Sequence, residues 1–177
     1  KDSSPIPMWI GSPEGTLLSA NQALYDALNL TAEQVVGQYN LFQDENLRQP
    51  GVAEKIEQFR QHKQAIRFEL YWKIDQVEDV DFEGGLDRFI DVSISPFLDE
   101  QGELAYFVVQ WVDITERIQA RQALENKERF ISAIAETAPA IIYVYDLETQ
   151  KNVYANSGMQ RLLGYTSEEI ISIGENL

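Results

Sequence analysis

The spacing of apolar and polar residues changes several times along this chain, and each change predicts a different element. In "RFELYWKI", Phe68, Leu70, Trp72 and Ile74 alternate with Arg67, Glu69, Tyr71 and Lys73. In "FIDVSISPF", Ile90, Val92 and Ile94 alternate with Asp91, Ser93 and Ser95. A period of two sends successive side chains to opposite faces, so both stretches predict half-buried antiparallel strands with the apolar set inward. After the turn "LDEQGE", the stretch "LAYFVVQWV" is apolar on both faces, which predicts a central strand or one covered on its outer face as well. Upstream the period is helical. In "PGVAEKIEQFRQHKQ", Val52, Ile56 and Phe59 fall on one face of a helix that follows Pro50-Gly51.

Turn and cap chemistry fills in the ends of these elements. "IPMWIGSPEGTLLSAN" reads as strand, turn, strand, with Ser12-Pro13-Glu14-Gly15 as the turn. Asn21 is placed to cap the helix "NQALYDAL". In "LTAEQVVG", Thr31 caps a second short helix, Gln34 completes a capping box, and Gly37 ends it. Beyond Asp113 the chain turns polar and helix-forming, rich in Glu, Arg, Gln and Ala, up to about Ala138. Pro139 biases its predecessor away from helical angles and sets that limit. "AIIYVYDLETQKNVYAN" is again strand, turn, strand.

The last stretch echoes the first. "SANQALYDALNLTAEQVVG" aligns with "YANSGMQRLLGYTSEEIIS" at a constant offset of 135 positions. Ala20 and Ala155, Asn21 and Asn156, Leu28 and Leu163, Thr31 and Thr166, and Glu33 and Glu168 coincide, and Val35-Val36 matches Ile170-Ile171. Each copy follows a strand-turn-strand. Internal self-similarity of this kind predicts tandem homologous domains joined by a helix. The organisation read from it is a first domain at 1–113, a connector at 114–138, and the front part of a second domain at 139–177.

Composition narrows the functional classes. With 44% hydrophobic and 11% aromatic residues, a packed core is expected. The formal net charge of -15 argues against a nucleic-acid surface, which needs a clustered basic face. The chain has no cysteine, which excludes a disulfide scaffold, a thiolate metal site and a cysteine nucleophile, and fits a reducing, cytoplasmic setting. No apolar run approaches the roughly 20 residues of a membrane helix. The opening "KDSSPIPMWIG" lacks the apolar centre of a signal peptide. The chain starts without Met and stops inside a helical pattern, so it reads as a piece of a longer protein.

Together these residues resemble the PAS sensor-domain family. "WIGSPEGTLLSANQALYDALNLTAEQVVGQ" is similar to the family's opening strand pair and first helices. "ISPFLDEQGELAYFVVQWVDITER" is similar to its closing strand pair with the Asp113-Ile114-Thr115 junction. The resemblance covers the first domain nearly end to end and, from about Phe130, only the front half of a second. It implies an α+β fold: a five-stranded antiparallel sheet flanked by helices, commonly homodimeric. Such domains occur in cytoplasmic signalling proteins of the two-component histidine kinase or diguanylate cyclase kind, with the effector domain in the same chain.

The resemblance also implies two candidate sites. The first is a signal-transmission junction at Asp113, Ile114, Thr115, Glu116 and Arg117. Asp113 is the expected cap, its carboxylate accepting from an amide two or three residues on and lying against the positive end of the helix dipole. Arg117 is placed to pair back to an acid. The second is a small-molecule pocket between sheet and helices, walled by Phe68, Leu70, Trp72, Val92, Phe107, Val109 and Trp111. A filled core without ligand is an equal reading at this stage. The cofactor stays unassigned. Haem wants an axial imidazole, and the single histidine, His62, lies in the polar context "FRQHKQ". In flavin-binding relatives a Gln two positions before the closing Asp reaches the cofactor; here that position is Trp111, and Gln110 has the opposite strand parity. The family's photoadduct cysteine is absent.

Three other features bear on function. Asp79, Asp81, Glu83 and Gly84 imitate the start of a calcium loop, but the twelfth position is the apolar Ile90, so the stretch reads as a solvated hairpin extension. The connector carries a broken apolar stripe (Ala120, Ala123, Leu124, Lys127, Phe130, Ile131, Ile134), consistent with a weak parallel helix pair or with an exposed single helix. Residues 139–177, lacking closing strands, are expected to leave a sheet edge open to pairing. No phosphate-cradling loop or nucleophile–base pair is visible, so the fragment is read as non-enzymatic. The alternative function is a ligand-free module that dimerises and spaces a downstream effector.

Overall fold

The alternating segments form one sheet, and the helical segments cover one of its faces. The computed structural model describes residues 4–77, 87–166 and 169–170. Contacts divide the chain into two units, Lys1–Ile118 and Gln119–Leu177. The first contains β1 (Met8–Gly11), β2 (Leu17–Ala20), α1 (Gln22–Leu28), α2 (Ala32–Val35), α3 (Val52–His62), β3 (Ile66–Trp72), β4 (Arg88–Leu98) and β5 (Leu104–Asp113). The sheet order is β2-β1-β5-β4-β3, with antiparallel pairing throughout. The largely apolar β5 is the central strand, but its outward residues Tyr106, Gln110 and Val112 are exposed.

Register follows parity. Phe68 faces Val92, and Leu70 faces Ile90, across the β3–β4 pair; Val92 faces Trp111, and Ile94 faces Val109, across β4–β5. These residues join Leu24, Val35, Val52, Ile56 and Phe59 from the helices in one core. Two details depart from the simple alternation. β3 ends at Trp72, and Ile74 begins a short 3-10 turn, half-buried at the core's edge. Asp91 has outward parity yet is buried, because the Arg67 guanidinium lies over it and donates to both carboxylate oxygens.

The close approach of β1 to β5 requires a glycine. A Cβ on Gly11 would lie 2.2 Å from the Phe107 ring, which packs edge-on against Trp9 and Phe59. Asn21 ties the start of α1 to β1: its Oδ1 accepts from the Leu24 and Met8 amides, and its Nδ2 donates to the Ile6 carbonyl at 2.8 Å. The Gln34 side chain accepts from the Thr31 amide at 2.8 Å, as the capping box requires.

α4 (Thr115–Thr137) begins in the first unit and continues into the second. The second unit adds β6 (Tyr143–Asp146), paired antiparallel with β7 (Lys151–Ala155), and α5 (Gly158–Leu163). Asn156 repeats the tie that Asn21 makes to the start of its copy's first strand, without the helix cap. Its Oδ1 accepts from the Ile142 amide at 2.9 Å, and its Nδ2 donates to the Ala135 and Ala140 carbonyls. Thr166 and Glu169 repeat the capping pair, the Thr166 amide donating to the Glu169 carboxylate at 2.8 Å. The calcium-like positions Asp79, Asp81, Glu83 and Gly84, and the repeat positions Glu168 and Ile171, lie outside the described residues. Among the described residues no helix is long and apolar enough to cross a membrane.

Candidate functional site

A cavity of about 70 Å³ lies between the sheet and the helical side of the first unit. Leu70 and Trp72 of β3, Ile90 and Val92 of β4, and Val109 and Trp111 of β5 form its sheet wall. Trp9 of β1 joins that wall, Arg88 contributes from the start of β4, and Leu28, Val35, Tyr39, Leu41, Asp44 and Leu47 close the other side. Leu70, Trp72, Val92, Val109 and Trp111 were among the residues expected at a pocket. Phe68 and Phe107 were too, but neither lines this cavity. Both are buried in the core instead, and Phe107 is fixed there among Trp9, Phe42 and Phe59.

The cavity's polar wall was not read from the sequence. Asp44 is buried, and its Oδ1 accepts from the Asn46 amide and Nδ2, both at 2.9 Å. Its Oδ2 accepts from the Tyr39 hydroxyl at 2.8 Å and from Trp72 Nε1 at 3.3 Å. Asn46 in turn holds β3, its Oδ1 accepting from the Lys73 amide and its Nδ2 donating to the Lys73 carbonyl. Burial, with the nearby Asp44 charge and its hydrogen bond, raises the Tyr39 hydroxyl well above the ordinary tyrosine value, so it stays protonated and donates. The only local hint was the run Asn40, Asp44 and Asn46, three turn-capping types within a short span; the partner Trp72 is too distant in sequence to show.

The junction with α4 begins on the same wall. Arg88 Nη1 donates to Asp113 Oδ2 at 2.8 Å. Asp113 Oδ1 accepts from the Thr115 amide at 2.9 Å, so the carboxylate caps the helix as its residue type predicts. Burial alone would raise the Asp113 carboxyl, but the bonds from Thr115 and Arg88 outweigh it and hold it below the usual carboxylate range. Thr115 Oγ1 accepts from the Phe89 amide at 3.0 Å, and the Ile114 amide donates to the Phe89 carbonyl at 2.8 Å. Arg117 Nη2 reaches Glu69 of β3 at 2.7 Å, both side chains more than half exposed. Ile114 and Ile118 are buried, whereas Glu116 is exposed. Three adjacent strands therefore hold the first turn of α4.

The remaining expectations fall outside this cluster. His62 is exposed at the end of α3, away from the cavity wall, and Gln110 is exposed on the outer face of β5. Along α4, Leu124, Phe130, Ile131 and Ile134 are exposed.

Comparisons with known proteins agree with this architecture. A PAS domain family model matches residues 5–116, and a second PAS domain model matches residues 129–177. The chain is 25% identical over 162 residues to the virulence sensor protein BvgS of Bordetella parapertussis, covering 91% of this chain and 13% of that protein. The protein of the same name from Bordetella pertussis is 25% identical over 161 residues, again covering 91% of this chain and 13% of that protein. The chain thus spans about 13% of the length of the curated relatives it matches. Among solved structures, an RNA-binding Light-Oxygen-Voltage receptor superposes with a TM-score of 0.56 at 18% identity, covering 72% of this chain and 34% of that one. The LOV domain of the Erythrobacter litoralis EL346 blue-light activated histidine kinase gives 0.50 at 19% identity, covering 63% of this chain and 98% of that one. At such identities the structural likeness concerns the fold. With a family model spanning most of the chain and the sheet order, Asn latch and capped junction described above, the chain belongs to the PAS domain family.

Proposed function

We propose that this chain is the sensing and relay part of a longer cytoplasmic signal-transduction protein. A small ligand occupies the cavity, and its arrival is passed through α4 to an effector of the histidine kinase or diguanylate cyclase type. The relay residues are Asp113, Ile114, Thr115, Glu116 and Arg117. The observation that carries this reading is the position of Arg88, which lines the cavity and also holds Asp113, the cap of α4. A ligand that displaces Arg88 alters the hydrogen bonding at the first turn of the helix, so the two sites share a residue rather than only a fold. Chemistry is absent from this role; the fragment binds and transmits.

The test is a charge exchange in the full-length protein. Arg88→Asp and Asp113→Arg, each alone, should uncouple effector output from stimulus, and the double exchange should recover part of the response. Normal switching in both single variants would overturn the relay. A second reading is favoured by two specific observations: the cavity is small, and α4 exposes Leu124, Phe130, Ile131 and Ile134. In it the chain is a ligand-free homodimerisation spacer, with α4 pairing in parallel. Native mass spectrometry separates the two: a stoichiometric small-molecule adduct supports sensing, and a clean dimer without adduct supports the spacer.

A further inference from the structure

We infer that Asn46 is a further positioning residue of the relay: it seats a strap, which roofs the cavity, on the end of the sheet that holds α4. This rests on the reading that the cavity takes a ligand and α4 carries the response, and it names the part that moves. The strap is residues 39–49. Tyr39, Leu41, Asp44 and Leu47 of this segment line the cavity. Its ends are fastened near the two edge strands of the sheet, β2 and β3.

The two fastenings differ in kind. Beside β2 the strap is held main chain to main chain: the Leu17 amide donates to the Tyr39 carbonyl at 3.0 Å, and the Leu41 amide to the Gly15 carbonyl at 2.9 Å. Beside β3 it is held through side chains. Asn46 is fully buried, and it accepts from the Lys73 amide at 2.7 Å and donates to the Lys73 carbonyl at 2.9 Å. Asp44 accepts from Trp72 Nε1 at 3.3 Å, and Gln49 Nε2 donates to the Tyr71 carbonyl at 2.9 Å. A side-chain bond is released by a change of rotamer, whereas a main-chain bond needs the backbone to shift. The β3 end is therefore the end that lets go.

That end lies beside the α4 joint. Tyr71 and Trp72 are the ladder partners of Phe89 and Arg88. Phe89 binds Thr115 Oγ1 through its amide and the Ile114 amide through its carbonyl, and Arg88 binds Asp113. Strap, ladder end and first turn of α4 thus form one linked series of hydrogen bonds, the kind of network that carries coupling between sites.

Size requires the release. Pockets for small organic ligands enclose about 300 Å³ or more, against about 70 Å³ here. The sheet wall is fixed by its ladders, so the strap is the wall that yields, and its β3 end passes the change to Arg88 and Phe89.

Amide hydrogen exchange in this chain tests the link. Asn46→Ala should speed exchange at Lys73, which loses its partner directly. It should also speed exchange at least tenfold at Thr115 and Phe89, which share no bond with Asn46, and leave Leu17 and Leu41 unchanged. A pin of local effect would move Lys73 alone, and that result would overturn the inference. Equal acceleration at Leu17 and Leu41 would overturn it too, because it would mean general loosening. Trp72→Phe keeps a ring in place and removes one strap bond. It should give the same pattern, at least threefold at Thr115, and it decides the matter where Asn46→Ala does not fold; an unchanged Thr115 rate there would sink the link. The Arg88–Asp113 exchange in the full-length protein asks instead whether the joint drives output, so failure of the strap and failure of the relay are told apart.

Discussion

The two repeats use the same local code and reach different degrees of burial. Asn21 and Asn156 both bind the chain at the start of their copy's first strand, through Met8 and Ile6 in one and Ile142 and Ala140 in the other, and the Thr31 and Thr166 amides each donate to the side chain three residues on. In the first copy β3, β4 and β5 close the sheet, and Trp9 of β1 is 4% exposed. In the second, the described strands are a two-stranded hairpin, and Tyr143 of β6 is 59% exposed. Hairpin, latch and cap are thus written locally, while the core is supplied by strands distant in sequence. This matches the general rule that local propensity forms elements and tertiary packing stabilises them.

The comparison can be broken or sharpened by substitution. The largest effect is expected for Asn21→Ala. It strips partners from the Met8 amide and the Ile6 carbonyl, and each buried group left unpaired costs about 1–3 kcal/mol. A loss on the order of 3 kcal/mol in denaturant unfolding is expected. Asn156→Ala should instead speed amide exchange in β6 and leave the main transition of the first unit in place; a shift of that transition would contradict the division into two units. Next comes Gly11→Ala. The added methyl collides with Phe107, and overpacking of this kind costs about 1–3 kcal/mol. An unaffected midpoint would show that the β1–β5 contact has slack.

Asp113→Ala should cost about 1 kcal/mol through loss of the helix cap and lower the protection of the first-turn amides of α4. Retained protection at Thr115 would mean that Phe89 alone orders the turn. Acid should act on the same joint. Asp91 is held below its ordinary value by its hydrogen bonds with Arg67, working against burial, and Asp113 by Thr115 and Arg88, also against burial. A depressed folded value means stability that is full above the unfolded carboxyl value of about 3.9 and is lost as the pH falls below it toward the folded values. Unfolding midpoints across that range should decline less in Asp113→Asn than in the parent chain. The smallest effect is expected for Glu69→Gln, because the exposed pair with Arg117 is worth about 0–1 kcal/mol.

Much of this was legible because the signals are short-range. A period of two fixes which face of a strand is buried, and a side-chain oxygen before a helical run fixes a cap, so β3, β4, β5, Asn21 and Asp113 could be read directly. The cavity was legible in part: Leu70, Trp72, Val92, Val109 and Trp111 follow from strand parity, but parity alone could not separate them from Phe68 and Phe107, which face the same way and are absorbed by packing. Asp44 and Arg88 were not legible. Each looks like an ordinary surface charge until the chain brings Trp72 to one and Asp113 to the other.

The three-strand grip on the first turn of α4 has a geometric consequence. Glu69, Phe89 and Asp113 anchor that turn from neighbouring strands. A turn fastened at three points across a ribbon moves with the ribbon's local plane, and jostling of one strand alone is resisted by the other two.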